Sequence, residues 1–313
     1  MNLLNTLTKK APWLNQYATM YIGWVIVFLS FSSASILVVL SNATAVSCAF
    51  WRVFLASLML WSARLLRGGV RGFSALNSAT AYSILAGLFL AVHFLLWMES
   101  LFLVPVAVST TVVVTYPLLS VLIDRMVFKE KLHPLQIVGL AVGFIGVLLF
   151  MQPWVLGTYD SYGVLLSFGG AIAAACYFSL GRSIRKGTSL TGYTLPAYTS
   201  ASVFLLLYAL VSGEELINYP LQAYLCFILL ALIPMVGGHT LVNYMLRYVK
   251  TSVATSIALA EPIGAAILAY FILDQQLDLS KALVMTITLS SVAAVIIQEA
   301  RSKSELAYQG GSS

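Results

Sequence analysis

The sequence predicts an all-α membrane protein with ten transmembrane helices, arranged as two inverted five-helix repeats around a central cavity. Three observations carry this prediction. The 313 residues are 60% hydrophobic and only 9% charged, with a mean hydropathy of +0.93. A soluble domain carries roughly 25% charged residues, so this chain has too few to wet a water-facing surface. The lysines and arginines fall almost wholly on one side of the predicted spans, and the second half repeats polar and proline landmarks of the first.

Apolar runs between charged residues and Gly/Pro breaks predict spans at 21–40, 44–63, 80–102, 105–127, 134–151, 161–181, 193–212, 221–244, 252–273 and 281–298. Each is near the roughly 20 residues that cross a hydrocarbon core. The expected organisation is a segment 1–20, a first repeat 21–151, a second repeat 161–298 and a polar tail 299–313 whose end, Gly310–Ser313, is expected to be disordered. No small-residue cleavage site follows the first span, which is therefore expected to be a retained helix and not a signal peptide. The connections are short, and none has the composition of a soluble domain.

Taken in order, the charges fix the sidedness. The first span leaves from Lys9 and Lys10, and the second ends at Arg64, Arg67 and Arg71. The fourth ends at Arg125, Lys129 and Lys131, and the sixth at Arg182, Arg185 and Lys186. The eighth ends at Arg247 and Lys250, and the tenth at Arg301 and Lys303. These sum to 15 basic residues on one side against Lys281 alone on the other, with Arg52 inside a span. Loops rich in Lys and Arg stay in the cytoplasm, so both termini are expected there, in the plasma (inner) membrane. Asp160, Glu214, Glu215, Asp274 and Asp278 fall in the opposite loops. The net charge of +6 is explained by this bias without invoking nucleic acid.

Sliding the chain by 145 residues sets Pro117 on Pro262, Thr110 on Thr255 and Leu132 on Leu277, and a shift of 146 sets His93 on His239 and Arg52 on Tyr198. Five spans per half is an odd number, so the second half must insert upside down. Inverted repeats with irregular helices at mid-membrane are characteristic of secondary transporters.

The stretch HFLLWMESLFLVPVAVSTTVVVTYPLLSVLIDRMVFKEKL at 93–132 resembles the third and fourth helices of EamA-type proteins of the drug/metabolite transporter superfamily. GGHTLVNYMLRYVKTSVATSIALAEPIGAAILAYFILDQQL at 237–277 resembles their eighth and ninth. The segments around Arg52 and Arg182 fit as well, and the similarity covers residues 21–298. This resemblance implies a ten-helix permease whose cavity opens alternately to either side, exporting small metabolites such as amino acids. Such proteins often carry an acid at the end of the fourth and ninth helices. Glu130 supplies the first, but Gln275 stands at the second.

Intramembrane polar residues mark the candidate substrate site. Glu261 lies about nine residues into its span, roughly 14 Å deep at ~1.5 Å per residue, where a carboxylate is costly and usually functional. Pro262 is expected to free the carbonyl of Ala258, and Pro117, beside Tyr116, that of Val113. Such a surface suits an ammonium group or a proton. Arg52 needs a partner at its depth: Glu99, Glu261 or a substrate carboxylate. His93 and Trp97 share a helix face, and His239 and Asn243 repeat that spacing. They either line the cavity or pack between helices. Trp24, Trp51, Tyr177 and Tyr198 are candidate aromatic walls. Glu130 reads as a loop-ordering residue, and Gly139 and Gly143 as a close helix contact.

The three cysteines, Cys48, Cys176 and Cys226, form no metal or disulfide pattern. No GxxxxGK[ST] sequence is present, which excludes ATP-driven pumping by this chain alone. No HExxH or GxSxG occurs, against an intramembrane enzyme, and the sparse polar residues do not line a continuous pore as a channel requires. The expected partners are lipid and a small-molecule substrate, with no cofactor and with proton coupling through Glu261.

Overall fold

The computed structural model describes residues 12–66, 77–152, 160–273 and 279–310, all helices and their connections. The spans are α1 (Met20–Ser41), α2 (Ala45–Leu66), α3 (Ser78–Leu103), α4 (Val108–Met126), α5 (Pro134–Phe150), α6 (Ser161–Arg185), α7 (Leu190–Ser212), α8 (Leu221–Met245), α9 (Thr251–Leu268) and α10 (Leu283–Ser302). Among the described residues all but α5, which is shorter, are long and apolar enough to cross a membrane. Five crossings per repeat set the second repeat opposite to the first. Residues Lys9, Lys10, Arg67, Arg71, Asp274, Gln275 and Asp278 lie outside the described residues. The helix containing α10 runs Leu279–Gly310, so the polar tail is helical through Gly310, where disorder was expected to begin. Residues 311–313 lie outside the described residues.

The outer surface is apolar, with Ile22, Leu66, Leu210 and Val211 all exposed, as a surface facing lipid requires. Polar groups are turned inward: Arg52, His93, Asp124, His239, Asn243 and Glu261 are all buried. Lipid tails are as apolar as leucine, so helix association rests on close packing between small residues. A Cβ at Gly139 would stand 2.6 Å from Val295 Cγ2, and one at Gly143 2.9 Å from Ser291 Oγ, where α5 meets α10. At the crossing of α3 and α7, a Cβ on Gly87 would stand 2.3 Å from the Ala197 carbonyl oxygen. A backbone atom cannot rotate away. Gly87→Ala is therefore expected to cost about 2 kcal/mol through overpacking, lowering the thermal midpoint in detergent by several degrees. An unchanged midpoint would show that the helices separate freely here.

Four spans lose regular geometry near mid-membrane. In α1 the helix breaks at Ser33, where Ser32 Oγ donates to the Phe28 carbonyl (2.6 Å) and Ser33 Oγ to that of Ser30 (2.8 Å). Such back-bonding bends helices. α4 is interrupted between Val113 and Tyr116, one turn before Pro117 removes a donor. α8 contains a π-helical stretch, Ala231–His239, around Pro234. α9 tightens to a 3-10 helix at Ser256–Ala260, just before Glu261 and Pro262. This last feature corrects the sequence reading. The Ala258 carbonyl is not free, because the Glu261 N–H bonds it across the tighter i→i+3 turn. The tightening restores the pairing that Pro262 takes away.

Candidate functional site

The irregular stretches converge on one chamber. It is lined by Phe31 and Ala34 of α1, Arg52 of α2, His93, Phe94 and Trp97 of α3, Val113 and Tyr116 of α4, His239 of α8 and Glu261 of α9. Its break brings α1 to the chamber at Phe31 and Ala34, and the π-helical stretch delivers His239. Gly237 and Gly238 let this part of α8 press on α1: a Cβ at Gly238 would stand 2.6 Å from the Phe31 ring.

Inside, aromatic rings surround a guanidinium and a carboxyl group. The His93 ring lies parallel to Trp97 (4° between planes, centroids 6.1 Å apart). Its Nδ1 is 2.9 Å from the Gly170 carbonyl oxygen. A carbonyl only accepts, so this nitrogen carries the proton and Nε2 is the acceptor. The two histidines of the repeats face each other, 6.2 Å apart. Phe178 stacks on both Tyr116 and His239, behind the chamber lining.

Arg52 sits with its guanidinium carbon 4.1 Å from the centre of the Phe94 ring. Among the described residues no carboxylate comes within 4.0 Å of it, Glu261 included. Its Nε and Nη1, the Trp97 Nε1 and the His239 Nδ1 are buried without hydrogen-bond partners. Orphaned polar atoms are rare in protein interiors and need an explanation. The chamber volume is about 20 Å³. That holds one water and is far below the ~300 Å³ of a ligand pocket. The protein is therefore contracted around its centre, and any metabolite requires expansion.

Of the residues singled out in the sequence, Arg52, His93, Trp97, Tyr116, His239 and Glu261 meet here. Pro117 and Pro262 lie beside them. Tyr198, Tyr177 and Asn243 form a buried network outside the lining but against it, with the Tyr177 ring centroid 6.1 Å from that of His239. In it Asn243 Nδ2 donates to the Tyr177 hydroxyl (2.6 Å) and the Tyr198 hydroxyl pairs with Thr240 (3.0 Å). Trp24 is buried near Tyr21, outside the chamber lining. Glu99 is exposed, away from the lining. Trp51 donates to the Leu216 carbonyl at 2.7 Å. Phe31, Ala34, Phe94 and Val113 line the chamber although nothing singled them out in sequence. Apolar residues facing a site and facing lipid look alike.

At the basic face, ionic contacts join the repeats. Glu130, in the connection between α4 and α5, accepts from Arg182 Nη2 at 2.6 and 2.8 Å and from Lys186 Nζ at 3.4 Å. Burial pushes its carboxyl up, but the hydrogen bonds and charge of Arg182, then of Lys186, outweigh this and hold it below the usual carboxylate range. The pair is therefore intact at neutral pH and weakens only as pH falls through that depressed value.

The EamA-like transporter family matches residues 16–152 and again 161–297. Among curated relatives, the uncharacterized inner membrane transporter YedA of Escherichia coli (strain K12) is 28% identical over 166 residues, 53% of either chain. The uncharacterized transporter YdfC of Bacillus subtilis (strain 168) is 26% identical over 168 residues, 53% of this chain and 55% of its own. A riboflavin transporter of Brucella anthropi is 28% identical over 159 residues, 51% of this chain and 52% of its own. The chain thus spans about half the length of these relatives. One solved crystal structure superposes with a TM-score of 0.73 over 90% of this chain and 98% of its own, at 16% identity, a likeness of fold. With both repeats matched and the fold shared, the chain belongs to the EamA-like transporter family.

Proposed function

We propose that the chain is a secondary transporter of the inner membrane that exports amino acids or related amino-bearing metabolites by alternating access. The observation that carries this reading is the pairing of a buried Arg52 and a buried Glu261 around one chamber without direct contact. A zwitterion presents a carboxylate to the first and an ammonium to the second, and aromatic rings receive its side chain. Each charge then gains a partner that the protein does not supply, which offsets the cost of burying it. The mid-membrane breaks in α1, α4, α8 and α9 give the flexible points that opening requires. Both termini are taken to be cytoplasmic from the charge bias. Proton coupling through Glu261 is part of the proposal, since the residue alternates between substrate and proton as partners.

The test is uptake into proteoliposomes with a panel of amino acids, polyamines, organic cations and riboflavin, with and without a pH gradient. Saturable transport of an amino acid that polyamines do not match is the expected result. Preference for cations lacking a carboxylate would overturn the zwitterion reading in favour of organic-cation efflux.

A further inference from the structure

The two repeats are joined towards both membrane faces around the contracted chamber, but by different chemistry. Towards the loop-acid face the contacts between repeats are neutral. Trp51 Nε1 donates to the Leu216 carbonyl (2.7 Å), Ser47 Oγ to that of Glu215 (2.9 Å) and Gln222 Nε2 to that of Leu40 (2.7 Å). Towards the basic face neutral contacts such as Trp61 Nε1 to Thr199 Oγ1 (3.0 Å) are joined by contacts to carboxylates. Besides Glu130 with Arg182, Asp124 Oδ2 of α4 accepts from the Ser252 N–H (2.9 Å) and Oγ (2.7 Å) at the start of α9. Glu299 accepts from Gln136 (3.0 Å) and lies 3.5 Å from Lys250 Nζ.

Arg182 stands at the centre of this set. It lies one turn beyond Phe178, the ring stacked on the lining residues Tyr116 and His239, on the side of the chamber towards the basic face. The side chain is buried and ties three segments together. Nη2 holds Glu130 of the first repeat, while Nη1 donates to the Val249 carbonyl between α8 and α9. Those contacts cannot persist while a passage opens between α4, α6 and α9.

We propose that the Glu130–Arg182 pair is the lock of the gate on the basic face, released whenever the chamber opens there. The proposal rests on the alternating-access reading above but not on any substrate. Lys186 is the auxiliary cation, exposed and 3.4 Å from the same carboxylate.

The experiment uses the full chain with Cys48, Cys176 and Cys226 replaced by serine or alanine, and Ala34→Cys as a reporter inside the chamber. A membrane-impermeant methanethiosulfonate reagent is applied from the basic face in one vesicle orientation and from the opposite face in the other. Glu130→Ala is expected to raise the labelling rate from the basic face about tenfold and leave the opposite face unchanged or slower. The swap Glu130→Arg with Arg182→Glu is expected to return the rate towards that of the parent. Because Arg182 also holds a backbone carbonyl, Glu130→Ala is the decisive variant. Labelling unchanged by Glu130→Ala would overturn the proposal. So would faster labelling from both faces, the mark of general loosening. The reagent reads opening directly, so amino-acid uptake that fails even in the parent refutes the substrate reading while leaving the lock testable.

Discussion

Replacing Glu261 by glutamine is expected to abolish transport, or its dependence on a pH gradient, while the protein remains folded. The side chain is buried in the chamber wall at the start of the second half of α9, where a 3-10 turn meets Pro262. Glutamine keeps the shape and the hydrogen-bonding capacity but not the charge. If the carboxylate receives a substrate ammonium, its loss removes one side of a desolvated charge pair, a penalty on the order of 2–5 kcal/mol. That is about 30-fold or more in transport efficiency. Folding should survive, because Glu261 has no ion-pair partner within 4.0 Å among the described residues. Proteoliposome uptake with a parallel thermal-stability measurement separates the two effects. Parent-level, pH-dependent uptake by the variant would remove Glu261 from the site.

Arg52→Met should give the second largest effect, and its pattern distinguishes binding from structure. Methionine keeps much of the apolar stem that lies against Phe94 but carries no charge. Uptake of a zwitterionic amino acid is expected to fall about 30-fold or more, by the same arithmetic. The corresponding amine, which has no carboxylate to place, should lose much less. Equal losses for both would mark Arg52 as purely structural.

The spans were legible because lipid imposes length and composition, and basic loops mark every second end. Expected and observed bounds agree to a few residues, for example 44–63 against Ala45–Leu66. The prolines pointed to the breaks in α4 and α9, because a missing N–H is visible in sequence. What fills the gap is not: the bond from Glu261 N–H to Ala258 depends on how the backbone relaxes. The π-helical stretch of α8 was missed although Pro234, Gly237 and Gly238 stand in it, since one proline and two glycines also fit an ordinary membrane helix. Charged residues of the chamber were visible because charges are rare in lipid. Phe31 and Phe94 were not, since only packing separates a site wall from a lipid-facing ring. The bond between Glu130 and Arg182 joins residues 52 positions apart, a distance that no local pattern reports.

The unequal fastenings at the two ends make the molecule sensitive to its surroundings in an unequal way. Dissolved ions screen exposed charges over roughly 8 Å at physiological ionic strength, and Lys186 and the partly exposed Glu130 are within reach of water. Neutral bonds such as that from Trp51 to Leu216 feel no such screening. On the proposed alternating-access cycle and lock, a rise in electrolyte on the basic side is expected to slacken one door more than the other, so that the ionic content of a single compartment biases which way the protein faces at rest.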